Sequence, residues 1–216
     1  MALQKQKTYK KVFDLTCEEL RNSDLAERLQ RASFAYKVED GQYVVESPFF
    51  EETIVLEIPR FSFRSEQGSN VTLATKILIL HYLLKASGKP LGQDRIPYED
   101  IPGCRPYLPV FERRVVRPLV SAFGFDRNLF RSAGEALRGT PESYGDVSFT
   151  LHALPMIPFT FILWEADEEF PASVKVLFDP SIDTYLPLED ITVLSKLAVV
   201  RIIKAARKGY QEEDGV

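Results

Sequence analysis

The chain has 216 residues, 45% of them hydrophobic, 27% charged and 12% aromatic, with a net charge of −4. That composition supports a folded core of one domain or two small ones, and it excludes disorder and a global basic field for nucleic acid. Cys17 and Cys104 are the only cysteines, too few for a cysteine-held iron–sulfur cluster within one chain.

In chain order, the first 16 residues read as a basic helical arm carrying Lys5, Lys7, Lys10 and Lys11. No apolar run follows it, so no secretory signal is expected. Thr16-Cys17-Glu18-Glu19 has the spacing of a capping box, predicting a helix over 17–32 that breaks near Asn22-Ser23-Asp24. Strand-like runs over 34–38, 43–46 and 53–58 are separated by Asp40-Gly41 and Pro48. Asn70 is expected to cap a helix over 71–86, closed by Gly88 and Pro90. The longest apolar run, 77–84, is far too short for a membrane span.

The stretch 89–109 is rich in Pro and Gly and reads as irregular. Apolar residues at helical spacing predict a helix over 110–123, kinked or broken at Pro118. A short helix over 125–137 follows, then strands over 147–154, 159–164 and 173–178. The last helix is expected over 188–208, with acids in its first turn and bases near its end. The tail over 211–216 reads as disordered. Fifteen phenylalanines against two methionines predict a core of rigid aromatic packing.

The expected fold class is α+β, with mixed or antiparallel sheets packed by helices. It is either one domain over 17–210 or two related β-sheet-plus-helix halves, 17–103 and 104–210. The second option rests on overlaying 71–77 on 191–197, which matches Thr72 with Thr192 and Lys76 with Lys196.

Charge is segregated. Residues 105–138 hold seven arginines against three acids, whereas 141–190 hold ten acids against Lys175 alone. Solvated faces, or two parts of one fold attracting each other, explain this most simply; the sharper reading is an arginine surface for an anionic ligand and an acidic docking face or metal-attracting surface.

No nucleotide-binding or catalytic signature is present. His81 and His152 are the only histidines, so a metal site would have to lean on carboxylates or use a single axial histidine, and none is assigned. His81 sits in an apolar helix and should be buried, which makes it a satisfied core histidine, a cofactor ligand or a general base. Alternation puts His152 on a strand face with Ser148 and Thr150; a hairpin return would set it opposite Thr160, sharing that face with Trp164. Trp164, the only tryptophan, runs into Glu165, Asp167, Glu168 and Glu169. Asp167 and Glu168 beside Trp164 and Phe170 suggest paired carboxylates for acid–base work or a hard cation, against the simpler reading of an acidic turn. Asp179 before Pro180 reads as a turn residue.

The segments His81-Tyr82-Leu83-Leu84, Arg113-Arg114 with Pro118-Leu119-Val120, Gly145-Asp146, Leu163-Trp164-Glu165 with Asp167-Glu168-Glu169-Phe170-Pro171, Leu177-Phe178-Asp179, and Tyr185-Leu186-Pro187 with Glu189-Asp190 carry a resemblance. The chain resembles the domain of unknown function 3786 family, found mainly in anaerobic prokaryotes, over about 73–203. Some members are joined to an iron–sulfur segment, which this chain's two cysteines do not supply. The resemblance implies a place near cofactor or one-carbon metabolism, involving corrinoids, and assigns no catalytic residue.

The expectation is a cytoplasmic binding or accessory protein that holds a small ligand, a corrinoid or haem-like cofactor, or a protein partner. The ligand-binding candidates are His81, Tyr82, His152, Trp164, Asp167 and Glu168. The alternatives are an enzyme with a carboxylate–histidine site, with or without a divalent metal, and a protein-docking scaffold. Nucleic acid and membrane are not expected partners.

Overall fold

The computed structural model describes residues 2–213, with side chains over 6–207. The architecture is α+β with two antiparallel sheets. The chain divides into two compact units. The first comprises Met1–Pro90, Leu154–Met156 and Thr184–Pro187; the second comprises Leu91–Ala153, Ile157–Asp183 and Leu188–Val216.

In the first unit, α1 (Ala2–Arg21) and α2 (Leu25–Arg31) precede a meander of β1 (Ala35–Glu39), β2 (Gln42–Phe49), β3 (Glu52–Ile58) and β4 (Ser62–Ser65), and α3 (Leu73–Lys85) follows. Thr16 is not an N-cap. It lies inside α1, buried, with its hydroxyl donating to the Val12 carbonyl at 2.8 Å. The basic arm and the helix expected after it are therefore one helix, because nothing before Thr16 breaks the helical run. The break near residues 22–24 is real, and Asp24 caps α2 by accepting from the Glu27 N–H. The cap of α3 is Thr72 rather than Asn70: its hydroxyl accepts from the Thr75 N–H. Asp40 and Gly41, both at positive φ, close the two-residue β1–β2 turn and set the register Glu39↔Gln42. One face of the sheet, Val45, Phe49, Ile54, Leu56 and Ile58, is buried, and Ser47 is buried among them.

The second unit begins with β5 (Ile96–Pro97) inside the stretch expected to be irregular. A continuous helical rod then runs through α4 (Leu108–Phe111), a π-helical turn over Glu112–Val116 and α5 (Arg117–Phe123). Pro118 is the local cause. In an α-helix it would have no N–H for the Arg114 carbonyl, and its ring would press on that carbonyl. The rod widens instead, and the Arg117 N–H reaches back to the Glu112 carbonyl. Phe111, Val115, Leu119 and Phe123 all stay buried. A regular α-helix would rotate such a spacing-of-four row by about 40° at each step, and the wide turn winds it back.

After α6 (Arg127–Ala136) come β6 (Thr140–Glu142), β7 (Val147–Leu154), β8 (Ile157–Trp164) and β9 (Ser173–Phe178), giving a sheet ordered β5-β9-β8-β7-β6, and then α7 (Leu188–Glu213). Of the tail expected to be disordered, residues 211–213 extend α7; the other three lie outside the described residues. α5, α6 and the π-turn pack on the inner face of the sheet. A run of rings from Phe123 through Phe130, Phe149, Phe161, Phe159, Phe178 and Phe111 to Tyr98 forms the core, with neighbouring centroids 4.0–6.3 Å apart. The aromatic composition is spent here. Both units contain an antiparallel sheet followed by a helix, yet Thr72 caps α3 whereas Thr192 lies inside α7 and bonds Tyr98 Oη at 2.7 Å. No helix among the described residues is long and apolar enough to cross a membrane.

Candidate functional site

The six sequence candidates divide between the units: His81 and Tyr82 in the first, His152, Trp164, Asp167 and Glu168 in the second. His81 is only half-buried, because it lies with Leu84 and Lys85 on the less covered side of α3. Tyr82 is wholly buried. Its hydroxyl donates to the Ala32 carbonyl at 2.8 Å and accepts from the Met156 N–H at 3.2 Å, while its ring stacks on Tyr185. Desolvation pushes its phenol well above the usual range. Tyr82 thus ties three separate chain stretches of its unit together.

His152 is exposed on the outer face of the second sheet, as alternation predicted. Its neighbours are polar and buried: Ser148, Thr150 and Thr160. The register differs from the expectation. Thr160 faces Thr150, hydroxyl to hydroxyl at 2.7 Å, and not His152. The hairpin turn is therefore tighter than the sequence suggested. Thr150 donates to Glu142 Oε1 at 2.7 Å, and with its one proton so used it must accept from Thr160. Trp164 lies four residues beyond Thr160 and His152 two beyond Thr150, in opposite directions. Six strand steps of ~3.3 Å separate them by roughly 20 Å, so they form no joint site.

Trp164 belongs instead with the other end of β7. A Cβ on Gly145 would stand 3.2 Å from Trp164 Cε2 and 2.8 Å from the Leu163 carbonyl oxygen. The acidic segment after Trp164 is pinned by its own carboxylates. Asp146 Oδ2 accepts from the Glu165 N–H at 2.8 Å. Glu165 accepts from the Arg127 N–H at 3.0 Å, at the start of α6, and lies 3.6 Å from Arg127 Nε. Asp167 Oδ1 accepts from the N–H groups of Glu169 and Phe170 at 2.8 and 2.6 Å, closing a tight turn. The Ala166 N–H donates to the Gly124 carbonyl. Three of the five carboxylates here hold the loop, and Glu168 and Glu169 face solvent with no side-chain partner.

Phe125 and Tyr144 are the part of this end that the sequence reading missed, whereas Trp164 and Phe170 stand out there. Phe125 is 86% exposed and Phe170 66%, and Tyr144 and Trp164 are also exposed, on the segments that Gly124 and Gly145 join to the acidic loop. Phe125 was expected to begin a helix; it stands in the turn before α6, next to Gly124, and points outward. Among the described residues no group of three or more His, Cys, Asp or Glu side chains is set to hold a metal ion. The arrangement presents free carboxylates among exposed aromatic faces, which suits a cation carried beside apolar groups. A second surface feature, a shallow cleft along α1, is bordered by Lys7, Lys10, Lys11, Asp14, Leu15 and Glu18.

A family model described as "Domain of unknown function (DUF3786)" matches residues 24–201. The chain belongs to this family. Neither a curated protein nor a solved structure matches it. Several segments that carry the resemblance to the DUF3786 family meet in one place here. Gly145-Asp146 is the cradle for Leu163-Trp164-Glu165, and Asp167 folds the turn that presents Glu168 to Phe170. Asp179 is structural as well. It is buried, accepts from the Gly92 N–H and from both donors of Ser181, and lies 3.4 Å from Arg95. Arg113 and Arg114 lie exposed in the π-turn immediately before Pro118.

Proposed function

We propose that this chain is a non-catalytic docking module. Its binding surface is the end of the second unit formed by Phe125, Tyr144, Trp164, Glu168, Glu169 and Phe170. The observation that carries this reading is the exposure of Phe125 and Phe170 on a backbone held in place by four side-chain-to-backbone hydrogen bonds. Large exposed aromatics on an ordered framework mark interaction sites, because their ordering cost is already met before a partner arrives. The free carboxylates select a partner that presents arginine or lysine beside apolar side chains.

Trp164, as the only tryptophan, is a built-in reporter. Titrating the protein with a synthetic peptide of alternating arginine and leucine should give a saturable change in its emission, weaker at 300 mM than at 50 mM NaCl. The peptide with glutamate for arginine should give none. Equal responses to both peptides, or no saturable response to either, would overturn the proposal.

A second reading, a ligand-holding role that includes a corrinoid or haem with one axial imidazole, is favoured by the exposed imidazole of His152 beside the buried Thr150–Thr160 pair. Adding aquocobalamin or haemin to the protein would then shift the visible band, and His152→Ala would abolish the shift. An unchanged spectrum would count against this reading alone.

A further inference from the structure

The rod of α4, the π-turn and α5 buries one row of side chains and exposes the opposite row. Along that exposed row stand Arg113, Arg117 and Ser121, four residues apart, with Arg114 and Ala122 beside them, and the exposed Phe125 follows in the turn after the rod. The three arginines are all exposed, and none has an acidic partner among the described residues, in a chain with more acids than bases. Like charges at this spacing repel one another, so the arrangement lacks a compensating anion. The other end of the same stripe supplies anions. There Gly124 and Arg127 bond the 165–166 segment, which leads to Glu168, Glu169 and Phe170. One stripe therefore begins positive, passes over two small residues and ends negative and aromatic. Its helical part, Arg113 to Phe123, is roughly 15 Å long, from ten steps at ~1.5 Å each.

We infer that the partner of this surface is a second copy of the chain. Two stripes laid antiparallel about a two-fold axis near Ser121 and Ala122 place each copy's Arg113, Arg114 and Arg117 against the other's Glu168 and Glu169. Each copy's arginines then also meet the other's Phe125 and Phe170 faces. A two-fold contact requires self-complementarity, and a surface carrying both charges at its two ends has it. The small side chains at the crossing let the two rods approach closely. Nucleic acid is the weaker candidate for the arginines, since the adjoining carboxylates and the overall negative charge repel a phosphate backbone. The stripe is narrower than a standard interface of ~800 Å² per partner, so the dimer is a weak, salt-sensitive one.

This inference rests on the docking reading, and its test separates the two. Sedimentation velocity on the full chain from about 1 to 200 µM in 50 mM NaCl should show mass rising to twice the monomer, and 500 mM NaCl should reverse it. The variants R113E/R114E/R117E and E168K/E169K, each checked by circular dichroism for an intact fold, should both remain monomeric. Mixed in equal amounts they should dimerise, because each contact in the mixed pair regains opposite charges. A wild-type chain that stays monomeric throughout, growth beyond a dimer, or a mixture that stays monomeric would overturn the inference. If the arginine–leucine peptide still shifts Trp164 emission in such a case, the docking surface stands and its partner is another protein; if it does not, both fall.

Discussion

Replacing Gly145 by alanine probes the framework beneath the docking surface. Gly145 has φ +57°, and a Cβ there would stand 2.8 Å from Ile162 Cγ2 and from the Leu163 carbonyl oxygen. That carbonyl cannot retreat freely, because it accepts the Asp146 N–H at 2.9 Å. The left-handed backbone costs an alanine about 1–2 kcal/mol, and overpacking against fixed atoms adds about 1–3 kcal/mol. The sum is roughly 2–5 kcal/mol, which for a chain of this size lowers Tm by about 5–15 °C. Gly41 is the matched control: its φ is +75°, but nothing lies within 4 Å of its would-be Cβ, so Gly41→Ala should cost only the backbone part. Thermal melts followed by circular dichroism measure both variants. Because the new methyl also presses on Trp164, native-state emission should change in Gly145→Ala and not in Gly41→Ala. If the two variants melt alike and Trp164 emission is unaltered, the cradle argument is wrong.

Tyr82→Phe should destabilise by about 2–4 kcal/mol, since it strands the Ala32 carbonyl and the Met156 N–H, and denaturant unfolding followed by circular dichroism would show it. Ser47→Ala should be neutral or stabilising by about 1 kcal/mol in the same assay, because the Ser47 hydroxyl is buried without a hydrogen-bond partner. Burial pushes the Cys17 thiol up to about 11. The folded state then holds a proton that the unfolded state releases above about pH 8.5, so stability falls as pH rises from that value to 11. Cys17→Ala should flatten that part of a stability-versus-pH profile.

Periodicity made much of this fold legible. The strands over 147–154 and 173–178 match β7 and β9 end to end, because polar and apolar residues alternate along most of both, although the Ser148–Thr150 face of β7 is buried as well. β4 and β6 escaped notice because four and three residues are too few for a period to show. Thr16 misled because a capping box and a mid-helix threonine share local sequence; only the continuous helix before it decides between them. The π-turn is encoded by the pairing of Pro118 with a strict spacing-of-four apolar row, a signal visible in the sequence but read there only as a kink. At the candidate site, the sequence located the acidic loop but not the fate of its carboxylates. Which ones pin backbone N–H groups and which face solvent depends on Gly124, Arg127 and Asp146, roughly twenty to forty residues away in the chain. His152 and Trp164 group together in the sequence because alternation puts them on one face of the hairpin; the Thr150–Thr160 pairing adds two steps to a separation that was already four.

The docking surface is tested most directly by the affinity of the arginine–leucine peptide for the wild-type chain and for Phe125→Ala/Phe170→Ala, each read through Trp164. Both rings are exposed, so their removal should leave the fold and its Tm unchanged. The account predicts that the double variant binds at least tenfold more weakly, about 1.4 kcal/mol or more of lost binding. Equal affinities in two equally folded proteins would contradict it.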